Sequence, residues 1–128
     1  LLGTSSLAFG QEFGESSTTD SYTEQFDGVR TPSFFASEIR KALSFNGFRQ
    51  VRETGEAVFM SKPLQTNSGY LQNYDAATVW VRSDSVVRVH IWRKHSNLRE
   101  GYYRAWNMPR DGVVNYRRVL NEYFQSNQ

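Results

Sequence analysis

Six residues in one short stretch have the types and spacing to do surface chemistry. They are Trp80, Arg82, Arg88, His90, Trp92 and Lys94, all within VWVRSDSVVRVHIWRKH (Val79 to His95). Flat π surfaces interleaved with cations suit three kinds of ligand. Rings stack on nucleobases while cations meet phosphates, each stacked base being worth about 1–3 kcal/mol. Rings also lie against the C–H faces of sugars, with Arg and Lys on their carboxylates. Trp, Tyr and Arg are, finally, the residues enriched at protein interfaces.

Catalysis and metal binding have fewer candidates. The chain has two histidines, His90 and His95, and no cysteine. The missing thiols exclude disulfides, thiolate zinc sites, Fe–S clusters and a Cys nucleophile. Five residues apart along one strand, His90 and His95 fall on opposite faces and make a poor metal pair. An imidazole titrates near neutrality and can serve as a general base. No zincin, nucleophile-elbow, P-loop or EF-hand pattern accompanies it. The reading is therefore a non-enzyme, with no catalytic residue, no metal ligand and no cofactor; His90 is one member of a basic row.

The elements that must position the six residues follow from periodicity. Residues 77–82 and 86–94 alternate as two strands. Their apolar sets are Ala77, Val79 and Val81, then Val87, Val89 and Ile91. Both sets must face one core, so Val81 opposes Val87 across an odd loop, Ser83-Asp84-Ser85. Val79 then opposes Val89, and Ala77 opposes Ile91. The other face carries Thr78, Trp80 and Arg82 beside Arg88, His90, Trp92 and Lys94, with Trp80 across from Arg88 as a cation–π pair.

Two further strands read at 56–61, ended by Pro63, and at 102–106, YYRAW, whose phase the two adjacent tyrosines leave open. Between the first two strands lies a long loop, 63–75, with Tyr70 and Tyr74: a functional loop or a covering flap. Thr31-Pro32 opens a helix over 33–45, with Phe35, Ile39, Ala42 and Leu43 on one face and Asn46-Gly47 as its stop. A final helix starts at Asp111 or Gly112, with Val113, Tyr116, Leu120 and Tyr123 along one side. No connection contains a helix, so the strands form a meander.

The expected fold class is α+β. It is a two-layer domain over 31–128: a four-stranded antiparallel meander sheet packed on an N-terminal and a C-terminal helix. An irregular Ser/Thr/Gly-rich arm, 1–30, precedes it, without a period of 2 or 3.6. A chain of 128 residues is a single-domain length. Its net charge of +2 sets up no global field for a polyanion, so basic character has to be local.

The segment LLGTSSLAFG resembles the end of a secretory apolar region, with Ala8 and Gly10 spaced as a signal peptidase reads them. The expectation is an exported protein, periplasmic or extracellular. No apolar run approaches the roughly 20 residues that span a bilayer. The function these features favour is a non-catalytic subunit of a cell-envelope or extracellular assembly. It would associate with a protein partner or its own copies through the 1–30 arm and the basic-aromatic face. The alternative is a module for a polyanionic chain, single-stranded nucleic acid or an acidic glycan such as peptidoglycan, bound on the same face.

Overall fold

The computed structural model describes residues 21–64, 69–83, 85–106 and 110–126, with the side chains at 82, 83, 102–106, 110 and 124–126 outside that description. It is an α+β domain: an antiparallel sheet with two helices on one side. The strands are β1 (Tyr22–Phe26), β2 (Arg49–Glu53), β3 (Ala57–Pro63), β4 (Leu71–Ser83), β5 (Val86–Asn97) and β6 (Tyr102–Trp106). The helices are α1 (Pro32–Phe45) and α2 (Arg110–Ser126). The sheet runs β1-β5-β4-β3-β2. Strand β6 follows β1 along the same edge of β5, pairing with residues 93–97 where β1 pairs with 87–91.

The meander β3 to β6 is the one read from the sequence. The strand count is not: six strands stand among the described residues where four were expected. Strand β1 lies inside the stretch taken as an irregular arm. Its inward set is Tyr22, Glu24 and Phe26, and Glu24 breaks the apolar alternation that marks a strand. What recruits it is distant in sequence, since Tyr22 pairs with Ile91 and is 1% exposed in the core. Strand β2 gives no periodic signal either, because all five of its residues are exposed. Pairing with β3 alone defines it, with a bulge that leaves Val51 unmatched. The long loop at 63–75 also contracts. Strand β4 begins at Leu71, so Tyr74 belongs to the sheet and is buried.

Helix α1 begins at Pro32, whose fixed φ suits a first turn. Thr31 stands at the cap position without a side-chain cap bond. The helix ends where the sequence indicates. The Asn46 and Gly47 amides donate to Leu43 and Ser44 carbonyls, Asn46 Nδ2 donates to the Ala42 carbonyl at 2.8 Å, and Gly47 takes φ +93°.

The central hairpin has the expected register: Val81 with Val87, Val79 with Val89, Ala77 with Ile91, and Trp80 with Arg88. The turn is tighter than expected, because Ser83 still pairs with Val86 after a bulge. Ile39, Ala42 and Leu43 of α1 and Tyr116 and Leu120 of α2 close on Val79, Val87, Val89 and Ile91 to make the core. Trp80, Arg88, His90, Trp92 and Lys94 are thereby sent to the face without helices.

Candidate functional site

On the helix-free face, five of the six candidate residues form one continuous ladder. The Arg88 guanidinium lies over the Trp80 ring, 5.2 Å from its centroid. Trp80 meets His90 edge-on at 6.4 Å, and His90 meets Trp92 edge-on at 4.5 Å. Lys94 Nζ sits 5.5 Å from the Trp92 centroid. Cations thus close both ends of an aromatic row, the geometry in which a ring quadrupole attracts charge. Arg82 is in β4, and its side chain lies outside the described residues.

The two ends of the ladder differ in exposure. Trp92 is 0% exposed, clustered with Tyr74, Ala76 and Phe59. Lys94 is 4% exposed, and its burial pulls the ammonium below the usual lysine range. His90 is also buried, and Thr23 Oγ1 of β1 stands 3.3 Å from its Nδ1. Trp80 and Arg88, in contrast, are partly exposed and border a cavity of about 390 Å3 with Glu56 and Val81. The accessible part of the site is therefore its Trp80–Arg88 end.

Among the described strand positions the carboxylates are confined to one face, while cations stand on both. The strand positions of the helix-free face among the described residues include Arg49, Arg52, Arg88 and Lys94, and no Asp or Glu. The strand carboxylates Glu24, Glu53 and Asp75 occupy the helix side. Alternation makes this sorting possible, since neighbours in sequence are sent to opposite faces.

A second polar cluster lies on the helix side, unnoticed in the sequence. Asp75, 1% exposed, accepts two bonds from Arg93, at 2.8 Å from Nε and 3.1 Å from Nη2. Tyr116 of α2 donates to the same carboxylate through Oδ2. Its bond to Asp75 holds the Arg93 guanidinium above its ordinary range. A signal for the pair existed. Extending the hairpin register by one inward step past Ala77 and Ile91 sets Asp75 opposite Arg93. His95, on this side too, has Nδ1 2.6 Å from Asn73 Oδ1, so the two histidines do stand on opposite faces. Among the described residues no group of three His, Cys, Asp or Glu side chains gathers to hold a metal.

Buried phenols give this packing a pH signature. Burial is the first cause pushing up both Tyr22 and Tyr116; the second is the charge of Glu24 for Tyr22 and of Asp75 for Tyr116. Above about pH 10 the unfolded chain releases tyrosyl protons that the folded chain keeps. The folded state then binds more protons, so stability falls as pH rises. Urea midpoints should decline through that window, and the Tyr22→Phe/Tyr116→Phe double variant should flatten the decline. An unchanged slope would show that these two phenols are not its source.

No family model matches this chain, and no curated protein matches it. Among solved structures it is similar to a TBP-like protein from Parabacteroides distasonis ATCC 8503, with 8% identity and a TM-score of 0.43 over 89% of this chain and 96% of that one. At that level the likeness carries nothing about a ligand or a reaction.

Proposed function

We propose that the protein is a non-catalytic, exported subunit that works by association with its own copies through the helix-free face of its sheet. The observation that carries this reading is the Arg88–Trp80 pair, stacked at 5.2 Å on a face whose described strand positions hold no carboxylate, with Glu56 of the turn before β3 at its rim. Trp and Arg are the side chains that most often anchor interfaces. The chain also supplies the complementary charge. Glu12, Glu15 and Asp20 precede β1, with no Lys or Arg before Arg30. The acidic N-terminal region of one copy meeting the basic face of the next is a heterologous contact, the kind that builds rings or filaments.

The polyanion reading has weaker support. A stacking platform needs ring faces open to bases, and Trp92 is 0% exposed with Lys94 at 4%. Export rests on the N-terminal reading alone. Among the described residues no helix is long and apolar enough to cross a membrane.

Replacing Trp80 by Ala and Arg88 by Ser should weaken self-association by about 2 kcal/mol or more, the scale of lost hot-spot anchors. The unfolding midpoint of the dilute protein should change little. Sedimentation velocity over a concentration series checks the first effect and urea titration the second. A double variant that assembles like the parent would remove the proposal.

A further inference from the structure

The sheet order ends at β2, so among the described residues no strand pairs with its outer side. With all five residues exposed, neither face of β2 is packed. Beside it a groove of about 250 Å3 opens toward α1, lined by Arg40, Lys41, Phe45, Gln50 and the buried Met60. Phe45 is 80% exposed, with Tyr123 as a ring neighbour at 6.4 Å.

Basic side chains flank this edge on both sides. Arg40 and Lys41 stand on the groove side. Arg49 and Arg52, paired with Ser61 and Phe59, take the helix-free side. The nearby carboxylates are already engaged. Glu38 accepts from Lys41 at 3.2 Å and from Tyr123 at 2.7 Å. Glu53 accepts from Gln50 at 3.3 Å and lies 4.0 Å from Arg40.

An edge strand is a template for one more strand, and proteins blunt such edges with bulges and charge. The bulge at Val51 and the arginines do this against a second copy. Two antiparallel β2 strands would bring Arg49 and Arg52 of both copies onto one face. A segment carrying carboxylates meets attraction instead. We infer that β2 accepts an extended acidic segment of another protein as an added strand. The carboxylates of that segment alternate onto the helix-free side, where Arg49 stands, and one apolar side chain between them points the other way into the groove beside Phe45. This surface is separate from the Trp80–Arg88 end, and the inference stands without the self-association reading.

The test is fluorescence anisotropy of the full chain with a labelled peptide of alternating Glu and Thr in which one central Thr is replaced by Phe. Companion peptides carry Lys for Glu, or N-methyl groups on one or the other alternating set of amides. The acidic peptide should bind and the Lys peptide should not. N-methylation of one set should abolish binding while the other set leaves it intact, because only alternate amides point at the edge. Arg49→Glu should weaken binding about fivefold, an exposed attraction having become a repulsion. Trp80→Ala with Arg88→Ser should leave it unchanged. Circular dichroism confirms that each variant is folded. Absent binding, equal binding of the Lys peptide, or tolerance of both methylated sets would overturn the inference. So would loss of the peptide in the Trp80/Arg88 variant, which would put the occupant on the helix-free face.

Discussion

Asp75→Ala is expected to destabilise the domain by about 3–5 kcal/mol, with its magnitude at the lower end of that range. The carboxylate is 1% exposed and accepts two bonds from Arg93 and one from Tyr116. Removing it strands a guanidinium and a buried hydroxyl, and stranding partners costs more than the bonds themselves contribute. The Arg93 side chain is 20% exposed, so water recovers part of its solvation, which sets the lower end. Asp75→Asn keeps an acceptor and should cost less. Combining Asp75→Ala with Arg93→Met should recover part of the loss, since the uncompensated charge is gone. Urea unfolding of the three variants checks this. A loss under about 1 kcal/mol for Asp75→Ala would mean that the cluster does not tie α2 to the sheet.

Trp92→Ala should be comparably severe, about 3–5 kcal/mol, the usual cost of hollowing a packed site of an aromatic that size. Its ring is 0% exposed among Tyr74, Ala76 and Phe59, with His90 edge-on at 4.5 Å. Trp80→Ala, two same-face steps nearer the open end, should cost under about 1 kcal/mol of stability, because a partly exposed cation–π pair is worth about that much. The two tryptophans share a face but not a role. Equal losses for both would contradict the division between a buried end and an accessible end.

How much of this was legible in the sequence depends on the residue. The hairpin register was, because a period of two and an odd loop leave one pairing that buries both valine sets. The helices were, because Ile39 and Leu43, and Tyr116 and Leu120, recur at helical spacing and Asn46-Gly47 supplies a stop. The flanking strands were not. Tyr22 finds its partner in Ile91, far along the chain, and β2 has no buried side chain to betray a period. Alternation placed Trp80 and Trp92 on one face correctly, but it reports direction and not cover. Only packing shows that Tyr74, Phe59 and His90 crowd the Trp92 end while Trp80 borders open space.

Charge complementarity between copies is the core of the functional proposal, and a charge swap tests it most directly. One variant carries Arg88→Glu. The other carries Glu12→Lys, Glu15→Lys and Asp20→Lys. Each alone presents like charges across the proposed contact, whereas a mixture restores opposite ones. Sedimentation velocity at low salt should show each variant alone smaller than the parent assembly and the equimolar mixture returned to parental size, with the effect screened by added salt. A mixture that stays as small as its components, or single variants that assemble like the parent, would contradict association through this face.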